Sequence, residues 1–179
     1  MSLKLQDRVA IVTGVSSGIG SSIARHLAAA GATVIGTYHR SREKAEGVVR
    51  EICAGGASAL CREGDVRDFS AMEQLAAAVA EQFGRIDILV NNAGITQDQL
   101  LLAMTEQDFR DVVETNLYGP FNCTRAVARQ MMLQKRGRII NISSVAGERG
   151  GRGQTNYAAS KGGLNAFTRA AAFLCACQT

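Results

Sequence analysis

Two residues of the stretch YAASK, Tyr157 and Lys161, stand four positions apart, which puts them on one face of any helix that contains them. Reducing a ketone needs a hydride donor and a proton donor for the developing alkoxide, and a phenol can supply the proton. A free phenol titrates near about pH 10, so it works poorly near neutrality unless a cation beside it lowers that value. Lys161 is placed to be that cation. A Tyr and Lys at this spacing also arise by accident on helices, so the pair gains its meaning from its neighbours. Ser144 lies thirteen residues before Tyr157, in NISSVAG, just after an apolar run. Its hydroxyl could bond a carbonyl oxygen and hold it for Tyr157, and Ser143 is the neighbour with which it is most easily confused.

A second cluster suits phosphate. Thr13 to Gly20 reads TGVSSGIG, with glycines at 14, 18 and 20. Side chains missing there let the backbone turn sharply and approach a pyrophosphate, while free N–H groups at a helix start face its charge. Ser16, Ser17 and Ile19 fill the turn, and Ile23, Ala24 and Leu27 follow on one helical face.

The elements that must position these groups alternate along the chain. Apolar runs at 8–13, 33–37, 57–62, 86–90 and 138–143 are expected as strands. Stretches 18–30, 42–54, 69–83, 107–132 and 156–174 are expected as helices. Strands without polar alternation are covered on both faces, and their alternation with helices predicts parallel βαβ units. The expectation is an α/β, doubly wound, Rossmann-like parallel sheet forming one domain over residues 1–179. Ligands approach such sheets at the strand ends, where Thr13 and Ser144 fall.

Composition narrows the function classes. Hydrophobic residues make up 46% of the 179 residues and mean hydropathy is near zero, which suits a globular domain rather than a disordered chain. A net charge of +4 is compatible with an anionic ligand but too weak and scattered to indicate nucleic acid. Cys53, Cys61, Cys123, Cys175 and Cys177 contain no CxxC pair, so reduced thiols and a cytoplasmic location are expected, with no metal site. No apolar stretch approaches a membrane span, and the first residues do not resemble a signal peptide.

The turn TGxxxGxG differs from the widespread GxGxxG fingerprint and resembles that of short-chain dehydrogenases/reductases. The resemblance covers about residues 4 to 172 and adds further positions. Its spacing selects Ser144 over Ser143. It makes Asn116, in ETNLYG, a fourth catalytic member that helps hold a water relaying protons through Lys161. It places Asn91, Ala93 and Gly94 of NNAG beside the adenine ribose and gives Asp65 and Val66 contact with adenine. It also gives Lys161 a hold on the nicotinamide ribose. NAD-preferring members carry an acid at the end of the second strand, whereas this chain reads Tyr38, His39, Arg40, Ser41, Arg42 before its first acid, Glu43. Arg40 first, and Arg42 second, suit the additional phosphate of NADP, so NADP(H) is the expected cofactor. Ser17 departs from the Arg or Lys that many NADP-using members place there.

Within the family, NNAGITQDQLLLAMTEQDF and RGRIINISSVAGERGGRGQTNYAASKGGLNAFTRA are most similar to 3-oxoacyl-acyl-carrier-protein reductases. This implies reduction of a 3-oxoacyl thioester in fatty-acid or related biosynthesis. Arg125 and Arg129 resemble a basic pair that docks the acidic carrier protein, and a dimer or tetramer is implied. Family members continue past the last helix into a sixth strand with a Pro-Gly turn, a segment covering the substrate and a seventh strand, whereas this sequence ends FLCACQT. Two expectations follow: a reductase completed by further residues or a partner chain, or a non-catalytic dinucleotide-binding or oligomer-forming chain.

Overall fold

The computed structural model describes residues 4–176, with side chains described to residue 172; Cys177 and the side chain of Cys175 lie outside. Five parallel strands form one sheet: β1 (Val9–Thr13), β2 (Thr33–Tyr38), β3 (Ala59–Glu63), β4 (Ile88–Asn91) and β5 (Arg138–Asn141), in the order β3-β2-β1-β4-β5. The order reverses at β1, so the chain winds outward in both directions and opens a crevice at the strand ends there. Helices α1 (Gly18–Ala29), α2 (Arg42–Ala54), α3 (Phe69–Phe83), α4 (Glu106–Val113), α5 (Gly119–Leu133) and α6 (Thr155–Ala176) follow the strands.

Side chains of β1 alternate between two cores, as the strand period requires. Ala10 and Val12 pack with Ala24 and Ala28 of α1 and Ala45, Val48 and Ile52 of α2. Val9 and Ile11 pack with Met72, Ala76 and Val79 of α3 and Val127 and Met131 of α5. Both faces of β1 are therefore covered, which accounts for its unbroken apolar sequence.

The doubly wound architecture expected from the sequence is present, with corrections to one helix and to the strand limits. The single helix expected at 107–132 is two helices, α4 and α5, joined by a π-turn at Glu114–Tyr118. Pro120 has no N–H and cannot bond the carbonyl of Asn116 four residues back, so the helical ladder cannot run through unaltered. At the front of α4, Thr105 and Asp108 form a reciprocal capping box. Strand limits also move: β3 begins at Ala59 rather than 57, and β4 at Ile88 rather than 86. Asp87 instead receives the Val9 N–H at 3.0 Å and ion pairs from Arg85 and Arg8.

Candidate active site

The glycine-rich turn closes the C-terminal end of β1. Gly14 and Val15 each donate a backbone N–H to the Thr37 carbonyl at 3.0 Å, and Gly14 has φ +74°, a conformation glycine adopts without strain. A Cβ on Gly20 would run into the Gly14 carbonyl oxygen and the Asn92 amide, so the start of α1 lies directly on the turn. No acidic residue occupies the first turn of α1, and Ser17 makes no side-chain capping bond. The N–H groups at that helix start are thus unspent on side chains and face no competing carboxylate, as an anionic ligand requires. Ser16 is half-buried; Ser17, Gly18 and Ile19 are exposed.

The NNAG segment is fastened to this turn. Thr13 Oγ1 accepts from the N–H groups of Asn92 and Ala93, both at 3.0 Å. Asn92 Nδ2 donates to the carbonyls of Thr13 (2.8 Å) and Gly14 (3.1 Å). Asn91 is buried and donates to Asn141 Oδ1 at 2.8 Å and Thr124 Oγ1 at 3.2 Å, tying β4 to β5 and α5. Gly94 is exposed, and a Cβ there would stand 3.0 Å from Asn116 Oδ1.

On the other side of the crevice stands α6. Lys161 is 5% exposed, its Nζ lies 5.7 Å from the centroid of the Tyr157 ring, and it donates to the Ile142 carbonyl at 2.7 Å. It pairs with no carboxylate among the described residues, and burial pushes its ammonium below the ordinary lysine value. Ser144 sits just past β5, where its Oγ caps the short turn Val145–Gly147 by accepting from the Ala146 N–H at 3.2 Å. That leaves its proton available to an acceptor. Ser143 instead donates to the Lys161 carbonyl at 3.4 Å.

Asn116 is fully buried in the π-turn. Its Oδ1 accepts from the Ile95 N–H at 2.8 Å, and its Nδ2 donates to the Ile95 carbonyl (2.9 Å) and to Ser160 Oγ (3.2 Å). The side-chain amide is thus occupied, while the main-chain carbonyl lacks its usual helical donor because residue 120 is proline.

The structure therefore gathers Gly14, Gly20, Asn91, Ala93, Gly94, Asn116, Ser144, Tyr157 and Lys161 around the C-terminal ends of β1, β4 and β5. The remaining expected positions lie around the ends of β2 and β3 and on α5. Tyr38 is 8% exposed and packs in the core, and Val66, 6% exposed, packs in the core on the opposite face. Asp65 is held by Arg67, whose Nη2 donates at 2.6 Å and Nε at 2.9 Å; this guanidinium keeps the carboxyl below its ordinary value. Arg40 is exposed at the end of β2, whereas Arg42 is committed to Glu46 at 2.7 Å. Arg125 lies over the Phe69 ring at 4.3 Å, and Arg129 is exposed on the same helix.

Two residues that hold the site carried no sequence signal of their own. Asn156 is fully buried; its Nδ2 donates to the carbonyls of Gln97 (2.9 Å) and Asp108 (3.1 Å), and its Oδ1 accepts the Tyr157 N–H at 2.8 Å. Ser160, also fully buried, receives the Asn116 amide and donates to the Tyr157 carbonyl at 2.8 Å. Pro120 was visible as the chain's one proline, four residues after Asn116.

The family model described as short chain dehydrogenase matches residues 8–178. A 3-oxoacyl-[acyl-carrier-protein] reductase of Synechocystis sp. is 48% identical over 168 residues, covering 94% of this chain and 68% of the relative. The 3-oxoacyl-[acyl-carrier-protein] reductase FabG of Staphylococcus aureus is also 48% identical, covering 91% of this chain and 66% of the relative. The chain thus spans about two thirds of the length of these curated relatives. Among solved structures, a metagenomic short-chain oxidoreductase in complex with NADP superposes with a TM-score of 0.90 at 41% identity, covering 94% of this chain and 76% of that one. A dehydrogenase/reductase from Sinorhizobium meliloti 1021 gives 0.86 at 39% identity, covering 93% and 66%. With the family model matching almost the whole chain and relatives at 48% identity, the chain belongs to the short-chain dehydrogenase family.

Proposed function

We propose that residues 1–179 form a single dinucleotide-binding domain of an NADPH-dependent reductase acting on 3-oxoacyl thioesters, carried on acyl carrier protein or coenzyme A. The observation that carries this reading is the buried Lys161 ammonium beside the Tyr157 ring, with no carboxylate partner among the described residues. It sets a cation on the same helix face as a phenol that can donate a proton to a developing alkoxide.

The residues present fit a dinucleotide. The turn from Gly14 to Gly20 and the start of α1 would hold the pyrophosphate, with Ser16, Ser17 and Ile19 along it. Asn91, Ala93 and Gly94 would border the adenine ribose, and Lys161 the nicotinamide ribose. Arg40 would meet the additional phosphate of NADP. Asp65 and the backbone at Tyr38 and Val66 would border the adenine, the Tyr38 and Val66 side chains being buried in the core. When bound, NADPH supplies hydride. Ser144 would donate to the substrate oxygen and orient it, and Tyr157 would deliver the proton. Asn116 would support proton resupply through its main-chain carbonyl, its amide being occupied.

The relatives named for 3-oxoacyl-[acyl-carrier-protein] reduction support the thioester class, and the NADP complex of the structural relative supports the cofactor. An acidic carrier protein would dock against Arg125 and Arg129, and assembly as a homodimer or homotetramer belongs to the same reading, as does a cytoplasmic location. No helix among the described residues is long and apolar enough to cross a membrane.

The test is Tyr157→Phe, followed by NADPH oxidation with an acetoacetyl thioester and by NADPH titration. Turnover is expected to fall by about a thousandfold or more, with the NADPH dissociation constant within about twofold of the unmodified protein, since the phenyl ring is kept. Retained turnover contradicts the assignment, and lost binding would give Tyr157 a structural role instead.

A further inference from the structure

The segment 148–154 runs from the short turn capped by Ser144 to the start of α6, and so links the hydroxyl and the phenol assigned to the substrate oxygen. Arg149 and Arg152 are both exposed on it and form no ion pair among the described residues. The carboxylates beside them are elsewhere engaged or unpaired: Asp98 accepts the Gln154 amide at 3.2 Å, and Glu148 pairs with neither arginine.

Backbone bonds hold this segment, so the two guanidinium groups are not needed for its shape. The Arg149 N–H donates to the Val145 carbonyl at 2.8 Å, and the Gln154 N–H to the Gly151 carbonyl at 3.1 Å. Gly153, at φ +78°, turns its carbonyl to the Gln99 N–H at 2.8 Å. That last bond ties in the segment after NNAG, where Leu100, Leu101 and Leu102 are 51%, 66% and 102% exposed. An open apolar run and two uncommitted cations thus adjoin the Ser144–Tyr157 pair.

We propose that Arg149 and Arg152 bind the phosphate of a phosphopantetheine arm, the group that carrier-protein and coenzyme A thioesters share; this rests on the thioester reading given above and adds a site for the arm. Chain geometry sets the reach. Arg149 is five residues from Ser144 and Arg152 five from Tyr157, so each Cα stands within about 18 Å of its catalytic neighbour. A pantetheine arm extended from the reacting thioester covers a span of that order. Its phosphate is anionic, and guanidinium forks match phosphate oxygens bidentately. Its methyl and methylene groups are apolar and suit the leucine run. Arg125 and Arg129, on α5, would instead meet acidic side chains of the carrier protein itself, a contact that coenzyme A lacks.

The experiment titrates the 179-residue chain with the acetoacetyl thioesters of 4′-phosphopantetheine and of pantetheine, by calorimetry with NADP present in its oxidised form so that no hydride is transferred. The phosphorylated ligand is expected to bind about tenfold more tightly, as for two exposed charge-assisted contacts. In the double variant Arg149→Gln, Arg152→Gln the two ligands should agree within about twofold, with the affinity for the pantetheine thioester unchanged, since exposed substitutions leave folding intact. Acetoacetyl coenzyme A and the acetoacetyl carrier protein should each weaken by about the same tenfold in that variant, because both carry this phosphate. Equal affinity of the unmodified chain for the two small thioesters, a phosphate preference retained in the variant, or a loss confined to coenzyme A overturns the proposal. Failure of the unmodified chain to bind any of these thioesters overturns the thioester reading itself, and this proposal with it.

Discussion

An asparagine next to the tyrosine does more to place the phenol than its neighbours in sequence suggest. Asn156 satisfies two backbone carbonyls and one N–H from three segments that meet beside Tyr157, with no exposed surface. Asn156→Ala would remove all three bonds and leave a gap at a fully buried position, so the variant is expected to lose about 2 kcal/mol of stability, measured by urea unfolding. A change below about half a kcal/mol would show that water or local movement replaces the amide. At this scale the sequence revealed side chains whose types do chemistry, Tyr157, Lys161 and Ser144, because their spacing restricts where they can be. It did not reveal Asn156 or Ser160, since a buried amide or hydroxyl satisfying backbone groups has no periodicity. Tyr38 was partly legible: it shares the strand period with Val34, which already marks that face as core.

Among the elements, the glycine turn and the broken helix matter most. Gly20→Ala places a methyl against the Gly14 carbonyl and the Asn92 amide, neither of which can retreat without moving β1 or β4. NADPH affinity is expected to fall by about tenfold or more as the turn shifts, read by fluorescence titration; unchanged affinity would mean that phosphate is not held here. The π-turn was legible only in hindsight, because Pro120 signals an interrupted ladder but not which widened turn absorbs it. Asp87 supplies an acid-sensitive joint between β1 and β4. Burial pushes its carboxyl upward, but bonds from Arg85, Val9 and Arg8 outweigh this and leave it below the ordinary value. Its contribution to stability is thus complete above about pH 4 and is lost as pH falls through the lower, folded-state value. Asp87→Asn should cost about 2 kcal/mol at pH 7 and flatten this part of the acid limb. An unchanged acid limb would place the acid sensitivity elsewhere.

For the molecule as a whole, the sheet brings separate pieces of sequence to one edge. The turn after β1, NNAG after β4 and Ser144 after β5 meet there because the strands are parallel and the order reverses at β1. Fully covered strands made this architecture readable, since β1 has no polar alternation over Val9–Thr13. The side-chain pairings beyond the ends of β2 and β3 were less readable, because Arg42–Glu46 and Arg67–Asp65 depend on which of several nearby charges meet in space. Such pairs decide which cations stay available to a ligand, and they leave Arg40 at the end of β2 without an ion pair among the described residues. The central claim is that this edge is an NADP(H) site, and titrating the 179-residue chain with NADPH and NADH at neutral pH, following nicotinamide fluorescence, tests it most directly. Saturable binding with NADPH the tighter ligand is the predicted result; absence of saturable binding, or a preference for NADH, would contradict it.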